Sequence, residues 1–137
     1  MNSARQNLVT LLSLLVAILA LAYSAWRQGV NEHNHNMRDA AFRTLTELNE
    51  LQLLADYAHY EKDTERGNPI NGWARVGLIN DLSMLQPATV QVAAANLKTV
   101  WGREWPALRD SEESNRQVTA AVQAMRESVL AVLQQLH

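Results

Sequence analysis

From Leu8 to Trp26 the chain reads LVTLLSLLVAILALAYSAW, a run without charge, Gly or Pro that has no counterpart further on. As a helix this run spans roughly 28 Å, close to the ~30 Å hydrocarbon core of a bilayer. Arg5 precedes it and Arg27 follows it directly. The run constrains the rest of the chain: residues 8–26 are expected to be a transmembrane anchor in a lipid bilayer, with everything after Arg27 in water. Residues 1–7 then form a short tail.

A cleaved signal sequence with a secreted domain is the competing reading, because Ala20-Leu21-Ala22 fits a small-x-small cleavage site. Against cleavage, the apolar character continues past Ala22. Tyr23 and Trp26 also stand where the helix would leave the lipid, at the level such rings prefer. The anchor reading is favoured on length and aromatic flank together. Basic residues lie on both sides of the run, so orientation rests on the signal-like start. That start implies a bacterial inner membrane with the N-terminus inside and the remainder outside the cytoplasm.

The whole chain carries a net charge of −2, and with Arg5 and Arg27 assigned to the anchor the remainder is near −4. An acidic domain lacks the basic face that displaces counterions from phosphates, which excludes a nucleic-acid partner. With no cysteine there is no disulfide framework and no thiol chemistry. The roughly 110 residues after the anchor suffice for one small domain.

Residues 27–36, RQGVNEHNHN, read as a polar juxtamembrane connector, and residues 37–137 as a helical bundle. Ala41, Leu45, Leu48, Leu51, Ala55 and Ala58 recur at helical steps, predicting a helix from about Met37 to about Glu65, ended by Gly67-Asn68-Pro69. A shorter helix from about Asn71 carries Trp73, Val76, Ile79, Leu82 and Leu85 inward until Pro87 breaks it. A third has Val90, Ala93, Leu97, Val100 and Trp101 on one face and ends at Trp105-Pro106. The last opens with Asp110 as N-cap and Glu113 three residues on. Its Val118, Val122, Met125, Val129, Val132 and Leu136 then form a heptad seam, widened by Ala121 and Leu133. The expected fold is all-α: an N-terminal transmembrane helix followed by an antiparallel four-helix bundle. Three long helices, the middle one kinked at Pro87, are the alternative. Four are favoured because the apolar positions slip by one residue across Pro87, about 100° of rotation in a continuous helix.

Three constellations invite a chemical reading. Glu32-x-x-His35 and Asp56-x-x-His59 resemble the paired motifs of di-metal bundles, with His33 beside the first. They lie about 36 Å apart along a continuous helix, so they do not converge and no metal or other cofactor is expected. His137 adds nothing to them. Trp101 and Trp105, four residues apart with Glu104 between, read as core packing. The stretch 56–75 concentrates Tyr57, His59, Tyr60, Arg66, Asn68, Trp73 and Arg75 around one turn. Aromatics, amides and arginines so gathered make it the candidate interaction surface. Within the anchor, Ser13, Ala17, Ala20 and Ser24 form a small-residue stripe that would let a second copy approach as a homodimer.

No serine sits in a Gly-x-Ser-x-Gly elbow, and no glycine loop is built to cradle phosphate, so no enzyme is expected. The leading expectation is a single-pass, non-enzymatic protein that presents a bundle at the membrane surface to an envelope or membrane protein partner. The alternative is a small-molecule-sensing bundle that signals through a partner, and a metal-binding bundle is a distant third. In layout alone the chain resembles the helical input domains of bacterial membrane receptors, although those return through a second membrane helix and this chain ends in a water-soluble one.

Overall fold

A computed structural model describes residues 2–136, with side chains from Ser3 onward; Met1 and His137, the outer limits of the expected tail and bundle, lie outside the described residues. The described residues form four helices and no strand: α1 (Asn2–His59), α2 (Pro69–Ser83), α3 (Ala88–Glu104) and α4 (Glu112–Gln135). They divide into two compact units, one up to His35 and one from Asn36 onward.

The first unit is the N-terminal part of α1. It contains the one helix among the described residues that is long and apolar enough to cross a membrane, and its apolar window is wholly unburied. The hydroxyls of Thr10 and Ser13 donate back to the carbonyls of Gln6 and Val9, at 2.9 and 2.8 Å, so neither is left without a partner in an apolar stretch. The connector 27–36 is helical, and so belongs to α1.

The second unit is the four-helix bundle, built from residues 36–59 of α1 with α2, α3 and α4. Polar pairs fix its topology. Arg38 donates to the Leu136 carbonyl at 2.8 Å, Arg126 to Asn49 at 2.6 Å and Gln52 to Thr119 at 3.1 Å, so α1 and α4 are antiparallel. Arg75 meets Glu47 at 2.8 Å and Gln86 donates to Thr44 at 3.1 Å, which sets α2 against α1 in the opposite sense. Ser128 donates to the Thr89 carbonyl at 3.3 Å and Arg103 to Gln117 at 2.7 Å, so α3 and α4 run oppositely too. Chain order therefore gives an up–down–up–down bundle with short turns. The break at Pro87 is real, and four helices rather than three follow from it: α2 ends at Ser83 and Pro87 occupies the N-cap of α3.

The core is continuous through all four helices. Ala41, Leu48, Leu51 and Ala55 of α1 meet Val76 and Ile79 of α2, Val90, Leu97 and Trp101 of α3, and the α4 seam of Val118, Val122, Met125, Val129 and Val132. Leu45, Ala58, Ala93, Leu133 and Leu136 pack at its margin. The inward face of α2 differs from the sequence expectation. Gly72, Val76, Ile79 and Ser83 are buried, whereas Trp73 is 38% and Leu85 56% exposed. Trp101 explains the rotation. A Cβ on Gly72 would stand 2.1 Å from its ring, so α2 must present its glycine, and not its tryptophan, to that ring.

Two helix ends also differ. α1 stops at His59 and not near Glu65, because the chain turns at Lys62 into the left-handed region, φ 54°. The N-cap of α4 is Ser111, whose hydroxyl accepts from Ser114 N at 3.1 Å, one residue beyond Asp110. Glu112 and Glu113 follow in the first turn, where negative charge complements the helix dipole.

Candidate functional site

The bundle has a near end, where the chain enters at Asn36, and a far end, where α1 gives way to α2 and α3 to α4. Charge is distributed unevenly between them. The far-end segments 56–75 and 103–116 hold 14 of the 26 charged residues, while 82–97 and 128–136, around the α2–α3 turn and along the last turns of α4, hold none. The seven residues singled out in the sequence all fall in the first far-end segment.

The loop from Tyr60 to Asn68 is organised by Asp63. Its carboxylate accepts from the backbone N–H groups of Glu65 and Arg66 at 2.9 and 2.8 Å, and from the Arg66 side chain at 2.7 Å. Those bonds, the backbone and side chain of Arg66 foremost, hold the Asp63 carboxyl below its usual range. Arg66 also pairs with Glu61 at 2.7 Å and lies over the Tyr57 ring, 4.0 Å from its centroid. The guanidinium is thereby held charged well above its ordinary range, chiefly by Asp63. Asn68 is the N-cap of α2, accepting from Ile70 N at 2.9 Å, with Pro69 at the first helical position. Gly67 is required in this loop: a Cβ there would lie 2.6 Å from both the Ala58 Cα and the Asp63 carbonyl oxygen.

His59 is buried, and is therefore not part of an exposed surface. Its Nδ1 lies 2.7 Å from the Leu108 carbonyl and its Nε2 2.9 Å from a Glu112 oxygen, so it fastens the end of α1 to the α3–α4 loop and the start of α4. Arg75 lies between α1 and α2, paired with Glu47 at 2.8 Å and Glu50 at 3.4 Å. Tyr57, Arg66 and Arg75 thus line one open cleft of about 460 Å³ whose apolar floor includes Leu53, Leu54 and Leu78. Tyr60, 66% exposed, and Trp73 stand outside it and, with Ile70 at 74%, form the outward apolar part of the far end.

Across the loop, Glu104 is half of a polar clamp that the sequence does not advertise. It accepts from the Ser114 hydroxyl at 2.9 Å and pairs with Arg103, and the hydrogen bond from Arg103 is the main reason its carboxyl lies below the usual range. Lys62 and Arg109 exchange side-chain bonds to each other's carbonyls, strapping the two far-end loops together. The strap could not have been located without the fold, since its partners lie 47 residues apart.

No group of three or more metal-ligating side chains occurs among the described residues. The anchor stripe of Ser13, Ala17, Ala20 and Ser24 lies exposed on α1. No family model, no curated protein and no solved structure matches this chain.

Proposed function

We propose that the chain is a membrane-anchored, non-enzymatic protein that displays its bundle to another envelope or membrane protein. The contact would be made through the far end. What supports this reading is the distribution of charge: more than half of the charged residues lie in the far-end segments, where Tyr60, Ile70 and Trp73 are exposed among them. At the opposite end residues 82–97 and 128–136 carry no charge. Rigid aromatic anchors ringed by charged and amide groups are the composition of a recognition surface. The unburied apolar helix supports attachment to a bilayer, and attachment raises the effective concentration of the displayed surface for partners in the same membrane. The orientation that goes with this reading places the bundle outside the cytoplasm.

Photo-crosslinking in intact membranes tests it. A photoreactive side chain at Ile70 and, separately, at Val92, which is 70% exposed near the other end of the bundle, gives two equally accessible probes. A defined adduct from position 70 that position 92 does not give is the expected result. Equal adducts from both, or none from position 70, would sink the proposal.

A further inference from the structure

His59 closes α1, and Glu112 opens α4. The imidazole that joins these two helix ends is 8% exposed and has an oxygen acceptor at each nitrogen. The Leu108 carbonyl lies 2.7 Å from Nδ1, and the Glu112 carboxylate 2.9 Å from Nε2. We infer that this junction is a proton-operated tie: the imidazolium holds the start of α4 to the end of α1, and the neutral ring releases it. The tie does not rest on the display reading above.

Proton count decides which form of the ring fits. A neutral imidazole has one N–H and one lone pair, whereas a carbonyl and a carboxylate only accept. Both bonds are therefore made together only by a ring that carries a proton at each nitrogen. A neutral ring has one proton for two acceptors. Leu108 is buried and its carbonyl needs that proton, while Glu112 is 71% exposed and can turn to water. The bond that yields is thus the one to α4. Once released, Glu112 still stands in the first turn of α4, where its charge complements the helix dipole, so opening costs the tie alone. The other charged groups of the far end have partners of their own. Lys62 pairs with Asp110 across the two loops, Glu113 with Arg116 along α4 and Glu104 with Arg103 on α3, and Asp56 of α1 accepts from Gln52. Tyr60 meets the ring edge-on at 4.7 Å, with its hydroxyl bonded to Asn115. Among the described residues, Glu112 is then the one charged group bonded to the ring. Histidine is the side chain whose charge ordinarily changes between pH 5 and 8, above the carboxylates and below lysine.

The test uses the full-length chain in nanodiscs, with ¹⁵N in its histidine rings and the His59 signals assigned by their loss in His59→Gln. Two protonated ring nitrogens at pH 5.5 and one at pH 8 are expected. Backbone hydrogen exchange reads the consequence. Corrected for the intrinsic pH dependence of exchange, protection of the Ser114 and Asn115 amides should fall about three- to tenfold over the same interval, the scale of a partly exposed charge-assisted bond. Glu112→Gln alters only a water-facing side chain and should abolish that fall, because an amide can donate to the lone pair of the neutral ring as well as accept from its proton. Helicity of this variant, equal to that of the parent, shows that the fold is kept, and the remaining histidines still titrate in it. A proton count on His59 that is the same at both pH values would overturn the tie. So would protection that does not change with pH, or a pH dependence undiminished in Glu112→Gln.

Discussion

The middle of the bundle and its far end are held together by different physics. In the middle, side chains from four helices exclude water without needing a particular partner, and the α4 seam is buried along five successive positions. At the far end the loops are tied by directed polar bonds around a smaller apolar contact of Leu108 and Trp105 with the core: Asp63 to its loop, His59 to Leu108 and Glu112, Glu104 to Ser114, Lys62 to Arg109. Burial scales with area and supplies the stability, whereas exposed ion pairs add little each and chiefly fix geometry. The middle should therefore fail by unfolding. The far end should fail by losing shape while the bundle survives.

The largest effect is expected from Val129→Asp. Val129 is wholly buried in the seam, and an unpaired carboxylate there should cost about 3–5 kcal/mol, a large part of the stability of so small a domain. Circular dichroism should show a bundle that melts far lower or is already unfolded. Unchanged melting would mean that the seam is not where the structure puts it.

A pair of glycines in α2 sharpens the same contrast within one helix. Gly72→Ala drives a Cβ to 2.1 Å from the Trp101 ring, a rigid group with nowhere to go, and should destabilise by about 1–3 kcal/mol. Gly77→Ala meets nothing within 4 Å and should stabilise by about 0.5–1 kcal/mol, since alanine loses less entropy in a helix. Opposite shifts in melting temperature are the expected outcome. Two shifts of the same sign would refute the packing of α2 on α3.

These two glycines also mark where the sequence stops being readable. The α4 seam is legible because its apolar residues keep one period for six positions and nothing competes for the face. The inward face of α2 is not, because hydrophobicity alone sends Trp73 and Leu85 inward, while shape sends Gly72 there. That choice is made by Trp101, 29 positions away and invisible to local periodicity. The far end divides in the same way. The sequence marks the cluster 56–75 by its composition. It cannot mark the pairs that close it, because Leu108, Arg109 and Glu112 come from the α3–α4 loop and the start of α4. Nor does it separate the roles within the cluster, where His59 and Asn68 hold the backbone while Tyr60, Ile70 and Trp73 face outward.

Acid should act on the far end before the middle. The Asp63 carboxyl is held below its ordinary value of 3.8, so its contribution is fully present above that value and is lost as pH falls through the lowered one. Glu104 behaves in the same sense. Asp63→Asn keeps an oxygen for the backbone N–H groups and removes only the charge. The variant should melt below the parent at pH 7, and the two curves should converge as pH falls through the lowered value, where the parent carboxyl is protonated as well. A gap that stays constant with pH would show that the charge of Asp63 does not organise the loop.

The smallest stability effect should come from Ile70→Glu, and for that reason it is the most informative about function. Ile70 is 74% exposed and is the second residue of α2, so no core contact is lost, and a carboxylate in the first turn complements the helix dipole by about 0.3–1 kcal/mol. The melting temperature should be unchanged or slightly higher. If the far end is a recognition surface, the same substitution places a charge where a partner would bury an apolar side chain, and co-capture from membranes should fall at least tenfold, the usual scale for a buried anchor. A variant that folds as well as the parent but loses its partner separates recognition from stability at one position. Full retention of capture would remove Ile70 from the contact and direct the search to the α1–α2 cleft, lined by exposed Arg66 and half-buried Tyr57 and Arg75.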